Sequence, residues 1–264
     1  METTPHNRSQ VNPREREGST AALDETVWSR TEALAKDLPV RDLMEAFPIY
    51  ARRINLARFL ARYELFRQIQ DIPGCIFECG VYRGSGLLTW AKLAETFCPG
   101  DRAKKVIGFD NFAGFTSLHE KDGAPMEKRS KVVGGWNPAA FYEELKEHIS
   151  IFSQDSYVPR ASRIELVEGD IKQTAPKFLR ENSGMRICLL NIDMDFYEPT
   201  LAALQIFYPY VSRGGIVVLD EYGIDAWGGE AKAFEEYFES IGEKAPVLKK
   251  LPFYSLPGGY FVKE

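Results

Sequence analysis

Hydrophobic positions along the chain follow two regimes. Between Ala21 and about Gln70 they recur with a helical period: Leu56, Phe59, Leu60, Tyr63 and Phe66 stand three and four residues apart, which makes one dry and one wet face. No strand-like run interrupts this stretch, so residues 21–73 read as a cap of two or three helices. After Pro73-Gly74 short apolar runs take over, at Cys75–Cys79, Val106–Asp110, Ile164–Glu168, Ile187–Ile192 and Ile216–Asp220. Helical candidates at Gly84–Phe97, Phe141–Phe152, Ala175–Glu181 and Pro199–Tyr210 separate them. Uninterrupted apolar strands alternating with helices predict a parallel sheet covered on both faces. Val247–Leu251 and Gly259–Val262 flank Pro252–Gly258 and predict an antiparallel hairpin at the sheet edge. The expected fold is a doubly wound α/β domain over 74–264, preceded by the helical cap and a disordered tail, 1–20. The segment Ala113–Phe141 is irregular and rich in Gly and Pro; such a length of loop is either a lid or binding loop, or disordered.

Composition narrows the function classes. The chain has 264 residues, enough for one large domain with a full core. No run of apolar residues is long enough to span a membrane, and the polar start, Met1–Ser19, lacks the apolar stretch of a secretory signal. A net charge of −5 argues against a nucleic-acid partner. Cys75, Cys79, Cys98 and Cys188 show no metal-type pairing and read as buried thiols of a cytoplasmic protein.

In an open parallel sheet, ligands bind outside the carboxyl ends of the strands. The first run ends Phe77-Glu78-Cys79-Gly80-Val81-Tyr82-Arg83-Gly84-Ser85-Gly86 before a helix, so backbone passes close to any ligand and the helix start offers free N–H groups. The spacing is not G-x-G-x-x-G, which removes the usual dinucleotide reading. Asp110 ends the second run, where a carboxylate accepts from a ribose diol or, equally, caps a turn. Gly169-Asp170 ends the third, within reach of an adenine amino group. The fourth and fifth runs deliver Asp193-Met194-Asp195 and Asp220-Glu221, which neighbouring strands would bring together. Four carboxylates at one sheet edge repel unless a cation sits among them, and oxygen ligands without His or Cys favour Mg²⁺ or Ca²⁺. The alternative is an acidic rim of caps and solvated charges.

These residues resemble a class I S-adenosylmethionine-dependent methyltransferase with a Rossmann-like sheet. More narrowly they resemble the macrocin O-methyltransferase family, which methylates sugar hydroxyls in natural-product biosynthesis. The stretches that carry the likeness are FECGVYRGSG, IGFDNFAGF, NIDMDFYEPTLAAL and YPYVSRGGIVVLDEY, spread from Phe77 to Tyr222. The resemblance implies that Glu78, Gly80 and Gly84 line the methionine and ribose part of the cofactor, Asp110 the ribose hydroxyls and Asp170 the adenine. Val81, Tyr82, Ser85, Asn111, Gly169 and Asp193 complete that set. It also implies Mg²⁺ held by Asp193, Asp220 and Glu221, with Asp195 as general base. The family often has two aspartates where this chain has Asp220-Glu221, so Glu221 would ligate directly, through water, or not at all.

The chemistry follows from this set. A sugar hydroxyl holds its proton at neutral pH; a bound cation acidifies it, and a carboxylate within hydrogen-bond reach removes the proton. The partner is then a small sugar-containing substrate, a nucleotide deoxysugar or a glycosylated natural product. A catechol-type O-methyltransferase and a non-catalytic adenosine-ligand binding protein are the rival readings. His119 and His148 read as a solvated loop residue and a charged outer helix face, and Trp136, Tyr142, Phe196, Tyr222 and Trp227 as core before sugar-stacking wall. Lys232, Glu235 and Glu236 read as a solvated helix face, and Arg83 as a cofactor-carboxylate contact or a surface cap. The apolar excess of the cap predicts a homo-oligomer.

Overall fold

The computed structural model of the chain describes residues 19–127, 130–159 and 161–264. The first 18 residues of the expected tail lie outside them. Two compact units are present, 1–56 and 57–264. In the first, α1 (Ser19–Ala35), α2 (Val40–Glu45) and α3 (Phe47–Tyr50) follow one another, and neither α2 nor α3 has a buried residue. An Arg52–Asp24 ion pair and the Arg52 guanidinium, 5.0 Å from the Trp28 ring centroid, hold this unit together. The division falls inside α4 (Arg53–Arg67), so most of that helix belongs with the sheet.

The second unit contains β1 (Cys75–Cys79), α5 (Ser85–Phe97), β2 (Val106–Asp110), α6 (Tyr142–Asp155), β3 (Ile164–Glu168), α7 (Ile171–Glu181), β4 (Ile187–Ile192), α8 (Tyr197–Phe207), β5 (Val211–Leu219), α9 (Gly228–Ser240) and β6 (Gly259–Val262). Among the described residues these strands form one sheet of order β3-β2-β1-β4-β5-β6, parallel except for β5–β6. The expected doubly wound α/β fold is thus present, with an antiparallel edge. β1 and β4 are buried at every position, which is why they read as apolar runs with one polar residue each, Glu78 and Asn191. On one face Phe77, Phe109, Phe178 and Phe207 stack with centroids 4.8–5.8 Å apart, under α7, α8 and α9. On the other, Gly108 leaves room for Leu87 of α5: a Cβ at that glycine would stand 2.8 Å from the leucine methyl.

Several boundaries differ from the sequence expectation, the start of α8 at Tyr197 and of α1 at Ser19 among them, and α9 lies outside the helical candidates between the runs. β5 begins at Val211 rather than Ile216 because Val211 pairs with Ile187 across an irregular register. α7 begins four residues early because the Asp170 side chain accepts from the Lys172 amide and caps it. The edge hairpin reduces to one strand: Val247–Leu251 contributes an isolated Lys249–Tyr260 bridge rather than a paired segment. Chain order reverses between β1 and β4, and the crevice at that switch point is where the tips of β1, β4 and β5 meet.

Candidate active site

The glycine turn after β1 is built by close approach. Gly80 adopts φ +92°, and a Cβ there would lie 1.8 Å from the Asp193 carbonyl oxygen. The Gly80 amide donates to Phe109 O (2.9 Å) and the Asp193 amide to Cys79 O (2.8 Å), so the tips of β2, β1 and β4 are laced into one ledge. Gly84, at φ +82°, opens α5 without a side-chain cap of its own, while the Leu87 amide in the first turn bonds the Glu78 carboxyl. Glu78 lies beneath that turn: a Cβ on Gly86 would stand 2.4 Å from its Oε1. It is 2% exposed and its Oε2 has no partner. Burial pushes its carboxyl up to about 7, against the pull of Arg62.

Asp110 turns out to build the ledge. Its Oδ2 accepts from the Val81 and Tyr82 amides, both at 2.8 Å, and its Oδ1 from Phe112 at 2.7 Å. The Asn111 backbone N–H bonds this carboxylate as well, so its acceptor positions, about four, are spent on backbone. Asn111 is likewise committed, donating to Gly114 O (3.0 Å) and accepting from Ala113 N (2.7 Å). Asp170 is exposed at the third strand tip beside Gly169, with one oxygen engaged in capping α7 at 2.9 Å.

The acids of β4 and β5 do come together. Ile192 pairs with Leu219, and the Asp220 amide donates to Ile192 O at 3.1 Å, so Asp193 and Asp220 follow adjacent, level strand ends. Burial raises Asp193 well above the usual carboxylate range, and Asp220, Asp195 and Glu78 raise it further. Burial and then Asp220 push Asp195 up to about 7. Glu221 is raised strongly by burial, Asp195 and Asp220, and its buried Oε2 has no partner. Asp195 itself has φ +61°, a left-handed conformation that non-glycine residues hold only when their surroundings impose it. Among the described residues no three His, Cys, Asp or Glu side chains are gathered closely enough to hold a metal ion. The donor chemistry nonetheless suits a hard divalent cation: oxygen atoms only, mutually repelling, with an open oxygen on Glu221.

Three cations and one acid of this region escaped the sequence reading. Arg58 and Arg62 stand four apart on α4; burial alone would lower the Arg58 guanidinium, but Tyr254, Asp220 and Asp193 hold it above its ordinary value. Arg62 opposes the rise of Glu78, Asp193 and Asp220. Both arginines flank the buried face of Ile54, Ala57, Ala61 and Leu65, whereas Leu56, Phe59 and Leu60 of the expected dry face are exposed. The small alanines hid that face from the sequence pattern. Lys131, 2% exposed, donates to Ala226 O at 2.7 Å and to Asp122 O. Glu230 on α9 is fully buried and accepts from the Glu221 amide at 2.9 Å.

The irregular segment 113–141 is packed rather than loose in its described parts. Asp122 is buried, accepting from His119 N and from Tyr197 N at the start of α8, both at 2.7 Å. Lys121 bonds both oxygens of Glu236 (2.7 and 2.6 Å), so this part-exposed helix-face residue also anchors the loop. His119 caps the Glu120–Asp122 turn and its ring lies 4.8 Å from that of Tyr197. Phe115, Phe196 and Trp227 cluster at 4.2–6.0 Å, with Phe196 and Trp227 buried as core. Trp136 lies against Tyr82 and Tyr142 against Phe112, ring to ring at 5.4 and 4.4 Å. Arg83 lies 3.7 Å over the Phe141 ring, a packing contact. His148 faces Glu144 on an exposed helix surface, as expected, and all four cysteines are free. No helix of the described residues is long and apolar enough to cross a membrane.

Comparison with known proteins adds a family context. Residues 53–250 match the macrocin O-methyltransferase (TylF) family. The chain is 26% identical to 8-demethyl-8-(2,3-dimethoxy-alpha-L-rhamnosyl)-tetracenomycin-C 4'-O-methyltransferase of Streptomyces olivaceus, over 59% of this chain and 55% of that one. It is 27% identical to mycinamicin III 3''-O-methyltransferase of Micromonospora griseorubida, over 67% of this chain and 65% of the relative. The chain therefore spans 55% and 65% of the length of these curated relatives. Among solved structures it is similar to CalS11, a calicheamicin methyltransferase, with 29% identity, 98% of this chain and 99% of that one covered, and a TM-score of 0.83. An apo structure of CalS11, described as a TDP-rhamnose 3'-O-methyltransferase, gives 30% identity, 96% and 99% coverage and a TM-score of 0.73.

Proposed function

The chain belongs to the macrocin O-methyltransferase family, and on that premise we propose that it moves a methyl group from S-adenosylmethionine to a sugar hydroxyl with the help of Mg²⁺. The acceptor is a nucleotide deoxysugar or a glycosylated natural product. Relatives are named for a rhamnosyl tetracenomycin, for mycinamicin III and for TDP-rhamnose, which supports that substrate class. The observation that carries the reading is the crowding of Asp193, Asp195, Asp220 and Glu221 at the switch point, where burial and Asp220 strengthen the hold of Asp193, Asp195 and Glu221 on their protons. Such crowding is costly unless a cation or a reaction uses it.

Each residue then has a task. Gly80, Val81, Tyr82, Gly84 and Ser85 form a backbone ledge on which the cofactor lies, and the open Glu78 oxygen faces it from below. Asp110 and Asn111 hold that ledge in shape, with Asp110 on the ribose side. Gly169 and Asp170 border the adenine side, while Asp193, Asp220 and Glu221 hold the cation. When bound, Mg²⁺ would lower the pKa of the acceptor hydroxyl. Asp195 takes the hydroxyl proton; a carboxyl titrating near 7 is matched to that task at neutral pH. The sulfonium methyl needs no protein nucleophile, so alignment of oxygen, methyl and sulfur supplies much of the remaining rate.

The test is methyl transfer to TDP-rhamnose and to desmethyl glycosides, followed by mass spectrometry, before and after chelation. Asp195→Asn is expected to lower kcat by about 10²-fold or more, and EDTA to abolish turnover until Mg²⁺ is restored. Full activity after chelation, together with a harmless Asp193→Ala, refutes the metal-assisted mechanism. Turnover of planar aromatic diols but of no sugar refutes the substrate class.

A further inference from the structure

The proposed chemistry makes no use of Glu230, although it is the most completely buried acid in the second unit, at 0% exposure. It lies in the first turn of α9, among Asp220, Asp193 and Asp195. Its Oε1 accepts the Glu221 N–H at 2.9 Å, and its Oε2 has no partner. Around it, β5 has just left the sheet. Asp220 keeps backbone partners on both sides, its N–H on Ile192 O (3.1 Å) and its carbonyl on Gly258 N (2.6 Å). Glu221 is held differently: its carbonyl accepts from Ile224 N at 3.0 Å, while its N–H bonds the Glu230 side chain. Glu230 therefore satisfies a strand-end amide that would otherwise be a buried orphan. α9 can bring it there because Gly229 has no side chain: a Cβ at that position would stand 2.8 Å from Tyr197 N and closer still to Asp122 Oδ1.

We propose that Glu230 is a positioning residue for the β5-tip carboxylates, fixing the Glu221 backbone so that the longer Glu221 side chain stands where the site requires it. The inference rests on the cation-assisted reading above. A glutamate reaches one methylene further than an aspartate and has one more rotor, so where its carboxylate stands depends more on an anchored backbone. A neutral glutamine would make the same bond with less cost in charge.

Wild type, Glu230→Gln, Glu230→Ala and Glu230→Met are compared, the last as a volume-matched variant in case the cavity left by alanine prevents folding. Mn²⁺ binding is followed by electron paramagnetic resonance without cofactor or acceptor, amide hydrogen exchange over 219–223 is measured, and thermal midpoints are recorded. Glutamine keeps the acceptor, so it should preserve exchange protection at Glu221 and Mn²⁺ affinity within about threefold. Alanine and methionine should expose that amide and weaken Mn²⁺ binding about tenfold or more, with the fold intact. Wild-type Mn²⁺ affinity in the alanine and methionine variants overturns the proposal. So does a glutamine variant as weak as alanine, which would make charge rather than anchoring the cause. If the wild type binds no Mn²⁺, the cation reading fails by itself. The positioning role is then judged by kcat at unchanged S-adenosylhomocysteine affinity, and an unaltered kcat in Glu230→Ala refutes it.

Discussion

At Gly80 the main chain leaves no volume for even a methyl group: the Asp193 carbonyl oxygen occupies the Cβ position, and φ is +92°. Gly80→Ala must therefore part the tips of β1 and β4. Its expected outcome is a loss of at least about 2 kcal/mol in urea unfolding together with loss of S-adenosylhomocysteine binding by calorimetry; retention of both would show that the tips separate freely. Glu78 next to it yields a pH prediction. Its folded-state carboxyl titrates near 7 because it is buried, while in the unfolded chain it titrates near 4.3. The folded state thus keeps a proton that the unfolded state has released, so stability is greatest below the ordinary carboxylate range. It falls as pH rises from about 4 to about 7 and is level beyond. Glu78→Gln removes this share of the slope, worth up to about 3 kcal/mol, and urea midpoints between pH 5 and 8 read it directly. An unchanged slope in the variant would place the titration elsewhere.

Elements are joined in this molecule by buried cations as much as by apolar contact. Arg163, 1% exposed at the entry to β3, binds Glu95 of α5 at 2.7 Å and the Asp101 and Lys104 carbonyls at 2.9 and 2.8 Å. Arg163→Ala removes the donor to the Lys104 carbonyl, while Glu95 keeps Arg102 as a partner at 2.6 Å. The substitution is expected to cost about 1–3 kcal/mol in denaturant unfolding while sparing cofactor affinity. The element scale also separates what was legible in the chain from what was not. β1 and β4 were readable because both faces are covered and each run is apolar but for one buried polar residue, Glu78 and Asn191. The ends of the β4 and β5 runs placed Asp193, Asp195, Asp220 and Glu221 at neighbouring strand ends, where Ile192 pairs with Leu219. Glu230 stayed hidden because α9 carries Glu235 and Glu236 as well, and periodicity alone does not tell a helix turn facing a site from one facing water. The Lys121–Glu236 bond was equally invisible, since it spans 115 residues of sequence. Asp110 was seen at its strand tip, but that its oxygens serve the Val81 and Tyr82 amides depends on the turn's three-dimensional path.

For the whole molecule, the surplus of acids converges at one point of the sheet, and a cation there competes with protons for the same oxygens. Mg²⁺ added to EDTA-treated protein is expected to raise the melting temperature by a few degrees at about a hundred times its dissociation constant. The rise should be larger at pH 8 than at pH 6, because Asp195 and Glu78 titrate between the two. Scanning calorimetry of wild type and Asp193→Ala checks it, and an equal shift in both would exclude the β4 tip. The anchoring of the loop after β2 has a consequence for anyone recombining such enzymes. Asp122 is received by the Tyr197 amide, Lys121 by Glu236, and the absent side chain of Gly229 makes the space for both elements to meet. A chimaera that takes residues 113–141 from a relative inherits a plug without its socket. It should fold and turn over only when positions 197, 229 and 236 are transplanted with it, so the unit of exchange among these proteins is the loop plus one face of two helices.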